Sequence, residues 1–64
     1  MTVNGAAYQY HSGLTLHRLL DDLKVDQRTV VVMHGDEIYR AGKIPDAILN
    51  ERDILEIVTM AQGG

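Results

Sequence analysis

Hydrophobic and polar positions alternate towards both ends of this chain and fall into a helical stripe between them. Thr2-Val3 leads into Asn4-Gly5, the pair best suited to the two positive φ angles of a tight hairpin turn, and Ala7-Tyr8-Gln9-Tyr10 reads as the returning strand. His11-Ser12-Gly13 breaks that pattern. From Thr15 the apolar residues are Leu16, Leu19, Leu20 and Leu23, the i, i+3, i+4 and i+7 positions of one helical face, with Thr15 as the N-cap. The capping box is incomplete because Arg18, not Glu or Gln, stands three residues on, and Asp21 and Asp22 near the helix end oppose its dipole. The leucine stripe therefore has to hold this helix down.

Beyond the helix, Thr29-Val30-Val31-Val32-Met33 is β-branched and continuously apolar, as in a strand covered on both faces or lying centrally. Gly35-Asp36 marks a turn, and Glu37-Ile38-Tyr39-Arg40 alternates as a short further strand. Ile44 is biased to extended geometry by Pro45, which is expected to open a short helical turn through Asp46-Ala47-Ile48-Leu49. Asn50-Glu51-Arg52-Asp53 then turns into a last strand running to Met60. The order β-β-α-β-β-β predicts an α+β roll, a mixed sheet of four to five strands with one main helix packed on one face. The last strand is expected between the first and third. Residues 1–60 then form the domain and 61–64 a flexible C-terminal tail.

Composition narrows the function. A chain of 64 residues is one small domain, and domains of that size bury only about 60% of the surface the unfolded chain exposes, leaving little core in which to build a pocket. With no cysteine there is no disulfide, thiolate metal site or thiol nucleophile, so any sulfur chemistry must use another atom. A net charge of −3, with Lys and Arg together at 6, lacks the footprint of a nucleic-acid binder. No apolar run approaches the roughly 20 residues of a membrane span, and the amino terminus has no basic stretch followed by an apolar one, which points to a cytoplasmic protein. His11, His17 and His34 are spread over three elements without ligand spacing, so no metal site is expected. Asp21, Asp22 and Asp26 read as a solvated acidic face, and Tyr8 and Tyr10 as packing residues. An enzyme in its own right would need a nucleophile with a base, a paired acid and base, or a phosphate-cradling glycine loop, and none is evident.

The end of the sequence carries the strongest functional signal. The last strand runs almost directly into Ala61-Gln62-Gly63-Gly64; average glycine usage would place two there in roughly one chain in two hundred. If Glu56 faces water, alternation puts Leu55 and Ile57 towards the helix and Ile54, Val58 and Met60 on Glu56's outer face. That face is either an exposed binding patch leading through Ala61 and Gln62 to the glycines, or it is covered by neighbouring strands or a short helical turn. Tyr39 is a further residue that could border it.

Val3-Asn4-Gly5, Gly13-Leu14-Thr15-Leu16 with Leu19-Leu20, Val30-Val31-Val32, Asp53-Ile54-Leu55-Glu56-Ile57-Val58 and the closing Gly63-Gly64 resemble, in order and spacing, the ubiquitin-like β-grasp sulfur carriers of thiamine biosynthesis, the ThiS-like proteins. The chain departs from that pattern at Arg52, where the family often has Gly, and at His34, where it often has Asn. If Arg52 had to adopt a left-handed backbone, its Cβ would cost about 1 to 2 kcal/mol. The related molybdenum-cofactor carriers also end in Gly-Gly but are usually longer and carry a Phe-Ala pair, whereas this chain has no phenylalanine.

The resemblance implies a protein co-substrate rather than an enzyme. An E1-like, ThiF-like partner would adenylate the Gly64 carboxylate with ATP, so no cofactor is bound stably by the carrier itself. A sulfur donor such as a cysteine desulfurase would supply the thiocarboxylate, which would serve a ThiG-like thiazole synthase. Ile54, Val58, Met60, Ala61 and Gln62 are the expected partner-binding residues, with Gly63 and Gly64 as the sulfur-carrying end. Service to molybdopterin or another sulfur-containing metabolite, and a non-covalent ubiquitin-like binding module with incidental glycines, are the alternatives.

Overall fold

The computed structural model describes residues 1–59. Its strands are β1 (Thr2–Val3), β2 (Ala6–Ala7), β3 (Val30–His34), β4 (Glu37–Tyr39) and β5 (Ile54–Thr59), with one helix, α1 (Leu16–Asp22), between β2 and β3. The strands make one five-stranded sheet in the order β2-β1-β5-β3-β4. β5 runs parallel to β1 and antiparallel to β3, so the last strand does lie between the first and third. This is the expected ubiquitin-like β-grasp roll.

Local chemistry sets each turn. Asn4 (φ 52°) and Gly5 (φ 81°) both take positive φ, the requirement of the two-residue hairpin loop that joins β1 to β2. The returning strand is shorter than its sequence suggests, ending at Ala7. The Tyr8 N–H still donates to the Met1 carbonyl at 2.9 Å, both Tyr8 and Tyr10 pack against the core, and the Tyr10 hydroxyl donates to the Leu49 carbonyl at 3.4 Å. Between β3 and β4, Gly35 (φ 60°) supplies the positive φ of a two-residue loop whose flanking residues, His34 and Glu37, are paired.

Helix α1 is built on its leucines. Thr15 has the extended backbone of an N-cap (φ −115°, ψ 164°), and its hydroxyl accepts the Arg18 N–H at 3.4 Å. Leu16, Leu19 and Leu20 are buried, while neither terminal turn carries a charge that complements the dipole. The C-terminus is closed by backbone geometry: Lys24 N–H donates to the Asp21 carbonyl at 3.0 Å and Val25 N–H to the Leu20 carbonyl at 3.1 Å. That pair of bonds is a Schellman motif, accompanied by Val25 packed against the core. The motif requires a left-handed residue after the cap, and here it is an exposed lysine at φ 59°. Lys24→Gly is therefore expected to stabilise the protein by about 1 kcal/mol, read as a higher urea midpoint. An unchanged or lower midpoint would show that the lysine pays no such conformational penalty.

The segment after Pro45 is not the helical turn its sequence suggests. It runs extended across the entrance of α1, where Thr15 and Ile48 form an antiparallel bridge. Leu16 N–H donates to the Ala47 carbonyl at 2.8 Å, and Leu49 N–H to the Leu14 carbonyl at 2.9 Å. The first N–H groups of a helix lack partners within it, and an extended strap answers more of them than a helical turn would. The His17 N–H finds the Asp46 carboxylate at 3.1 Å, and the His17 ring donates from Nε2 to the Ile44 carbonyl at 2.6 Å. The Thr15 hydroxyl, followed by the His17 N–H, holds the Asp46 carboxyl below the usual carboxylate range.

The core lies between the helix and one face of the sheet, formed by Val3, Leu14, Leu16, Leu19, Leu20, Val30, Val32, Ile44, Leu49 and Leu55. β3 is an interior strand of the sheet but is covered on one face only: Val30 and Val32 are buried, whereas Val31 and Met33 are half-exposed on the other side. Among the described residues no helix is long and apolar enough to cross a membrane.

Candidate functional site on the outer sheet face

The face of the sheet turned away from the helix is open. Along β5, Leu55 is buried and Ile57 packs against the core, so Ile54, Glu56 and Val58 point outward. Ile54 is 64% exposed and Val58 47%, which decides for the uncovered reading of this strand. The registers extend the strip sideways: Val58 stands opposite Val31, Glu56 opposite Met33, and Met33 opposite Ile38, itself 66% exposed. Apolar side chains on three adjacent strands thus surround a single outward carboxylate, Glu56.

Ile38 takes the bordering place that Tyr39 was considered for. Tyr39 stands opposite the buried Val32 and packs on the core side, so it does not reach the outer face. Alternation within Glu37-Ile38-Tyr39 held this information, but a three-residue strand gives no facing until its partner's register is known. The remaining expected site residues, Met60, Ala61, Gln62, Gly63 and Gly64, lie outside the described residues.

Two polar arrangements fix β5 at its two ends. Before the strand, the Asp53 carboxylate accepts His34 Nε2–H at 2.9 Å and the Asn50 N–H at 2.8 Å. With Nε2 carrying the proton, His34 Nδ1 accepts the Tyr39 hydroxyl at 3.4 Å. Partial burial pushes the Asp53 carboxyl up, but the Asn50 N–H and His34 outweigh it and leave its pKa below the ordinary value. His34 is therefore the partner of the turn into β5, a role its isolation in the sequence does not suggest. Arg52, in the same turn, does not have a positive φ, so the left-handed cost considered for it does not arise.

Farther along, the Asn4 side chain meets the backbone of β5. Its Oδ1 accepts the Ile57 N–H at 2.6 Å and its Nδ2 donates to the Ile57 carbonyl at 3.3 Å. The Asn4 backbone N–H adds a bond to the Leu55 carbonyl at 2.8 Å. The turn signal of Asn4-Gly5 is legible in the sequence, but the reach of its side chain across 53 positions is not.

The other candidate chemistry stays structural. His11, His17 and His34 sit apart, and among the described residues no three His, Cys, Asp or Glu groups gather as a metal site. Asp22 pairs with Arg18 at 3.5 Å and Asp26 with Arg28 at 3.1 Å, which occupies two members of the acidic cluster. The Arg28 guanidinium and N–H lower the Asp26 pKa. No cavity is found among the described residues.

A two-residue hairpin, one helix and a final strand inserted between the first and third define a β-grasp protein, with an apolar outer face that leads to two glycines. The ThiS family model matches residues 1–64, and the chain belongs to that family. It is similar to the sulfur carrier protein ThiS of Thermus thermophilus, at 33% identity over 52 residues covering 81% of each chain. It is also 33% identical over 64 residues to a thiazole synthase of Paramagnetospirillum magneticum, a match that takes in 100% of this chain and 20% of that protein. The chain thus spans about one fifth of the length of that second relative.

Proposed function

We propose that this protein is a sulfur carrier for thiazole formation in thiamine biosynthesis, a co-substrate whose own Gly64 carboxylate reacts, and not an enzyme. The observation that carries this is the family match over residues 1–64, which takes in the closing Gly63-Gly64. In the proposed cycle an E1-like, ThiF-like enzyme brings ATP. A carboxylate oxygen of Gly64 attacks the α-phosphorus and pyrophosphate leaves. A hydrosulfide equivalent then attacks the acyl carbon and AMP leaves; where the donor is a cysteine desulfurase, its persulfide sulfur is brought to that level by a thiol reductant, which is oxidised to a disulfide. The thiocarboxylate gives its sulfur to the substrate of a ThiG-like thiazole synthase, its carbon takes an oxygen from that substrate or from water in exchange, and the carboxylate returns. The absence of cysteine suits this scheme, because the sulfur rides on a terminal carbon.

In this scheme residues 1–60 are the body that docks, in the cytoplasm, and 61–64 the arm that reacts. The exposed Ile54 and Val58, extended by Ile38, supply the described part of the docking surface; Met60, Ala61 and Gln62 continue it by sequence. Among the possible sulfur acceptors, the thiazole synthase relative favours the thiamine pathway over molybdopterin.

A pair of variants tests the scheme against a non-covalent binding module. Val58→Glu replaces an apolar member of the patch with a second carboxylate beside Glu56 and is expected to weaken binding to the adenylating enzyme by at least about tenfold while the protein stays folded. Removing Gly64 is expected to leave binding in place and to abolish thiocarboxylate formation. Normal binding by folded Val58→Glu would exclude the outer face as the docking surface. Thiazole formation sustained by the protein lacking Gly64 would exclude the carrier mechanism.

A further inference from the structure

We infer that Asn4 is a positioning residue for the reaction at Gly64, acting through the backbone of β5 and not through the docking surface. This rests on the carrier function proposed above. The geometric basis is that β1 and β5 have unequal reach. Main-chain pairing between them stops at Val3 opposite Leu55, yet β5 continues to Thr59. At the level of Val58 and Thr59 the strand is flanked on its other side only by Val31 and Val30 of β3. A two-stranded ribbon twists more than a strand held from both sides. Without further support the last part of β5 would be free to vary its direction where it leads towards the reacting glycines.

Asn4 supplies that support. The chain turns away from β5 at this residue, with φ 52°, but its side-chain amide presents an acceptor and a donor to Ile57 as a neighbouring strand would. The Ile57 N–H and C=O point to the β1 side, where β1 itself no longer reaches. The amide therefore adds one more rung to the parallel pair, two residues before Thr59. Asparagine combines a side chain of the right length with tolerance of left-handed backbone, so one residue can both make the turn and brace the strand. Small displacements of a reacting group cost rate disproportionately, since a misplacement of about 1 Å can cost about 100-fold. Bracing β5 at Ile57 is thus expected to matter for the chemical step more than for complex formation.

The test is steady-state adenylation of the full chain by an E1-like adenylating enzyme, with Asn4→Gly as the principal variant. Glycine keeps the positive φ and the hairpin while removing the amide. Asn4→Gly is expected to lower kcat roughly tenfold or more and to leave KM within about twofold, the signature of an interaction lost from the reacting complex and not from docking. Asn4→Asp, which keeps the acceptor for the Ile57 N–H but sets a carboxylate oxygen against the Ile57 carbonyl in place of the donor, is expected to restore kcat only in part, to a value between those of Asn4→Gly and wild type. Protection of the Ile57 amide from hydrogen exchange should fall roughly three- to tenfold in Asn4→Gly and recover in Asn4→Asp. Wild-type kcat in Asn4→Gly, or a raised KM with kcat intact, would overturn the role of Asn4 while leaving the carrier function standing. Wild-type protein that is not adenylated at all would overturn both.

Discussion

Gly63→Val is expected to abolish adenylation of Gly64 while the variant melts as the wild type does. The proposed reaction requires the last residues to enter a partner's catalytic site far enough for the terminal carboxylate to meet the α-phosphorus of ATP. Valine adds two methyl groups at a branched Cβ and removes access to positive φ, so it fails in both width and backbone freedom. Glycine has no side chain to withdraw from a core, and the buried residues among those described all fall between Val3 and Leu55, so stability is expected to be spared. A loss of at least about 100-fold in the ATP–pyrophosphate exchange rate is expected, given how steeply rate depends on placement. Gly63→Ala should fall between, since it adds one carbon without branching. A normal exchange rate in Gly63→Val would mean that the end of the chain does not thread a narrow site.

Leu19→Ala, by contrast, should remove most of the protein's stability. Leu19 is fully buried in the middle of the α1 stripe, within a core that has only ten buried members among the described residues. Truncating such a leucine costs about 2 to 5 kcal/mol through lost transfer energy and the cavity left behind. At roughly 0.05 to 0.15 kcal/mol per residue, a chain of this length has only about 3 to 10 kcal/mol to lose. Urea denaturation should therefore find Leu19→Ala largely unfolded, or with its midpoint far below wild type. On the outer face, Ile38→Ala removes a larger number of exposed atoms yet should shift stability by no more than about 0.5 kcal/mol. Equal losses from the two variants would mean that the outer face is packed in solution and is not a free docking surface.

The elements that were legible in the sequence are those whose signals are local. The leucine spacing gave α1 and its buried face, Asn4-Gly5 gave the first turn, and alternation from Ile54 to Val58 gave the two faces of β5. The misreadings came where distant partners decide the outcome. Pro45 is compatible with either a helical turn or an extended strap, and the unsatisfied N–H groups at the start of α1 select the strap. Three consecutive valines left open a strand covered on both faces or one lying centrally, and sheet order decides for the second: β3 is interior, and among the described residues no second layer covers Val31. Tyr10 favours a strand by propensity but lies beyond β2, packing against the core with its hydroxyl on the Leu49 carbonyl. At the candidate site, Ile54 and Val58 were reachable from alternation alone, whereas Ile38, Met33 and Val31 join them only through sheet register. The links from Asn4 to Ile57 and from His34 to Asp53 depend on parallel and antiparallel neighbours that no local pattern encodes.

The same contrast separates the two halves of the proposed function. Among the described residues the body is a platform without a cavity, its polar ties hold β5 at the preceding turn and at Ile57, and its apolar outer strip is left open. The chemistry is assigned to Gly63 and Gly64, which lie outside the described residues. Docking and reaction should accordingly be separable by mutation, with Val58→Glu acting on the first and Gly63→Val on the second.

The most direct test is the intact mass of the protein after incubation with ATP, an E1-like adenylating enzyme and a sulfide source. The carrier mechanism predicts a gain equal to the exchange of one oxygen for one sulfur, located on the terminal residue and absent when Gly64 is removed. No gain, with binding to the adenylating enzyme intact, would contradict it and leave a non-covalent β-grasp module in its place.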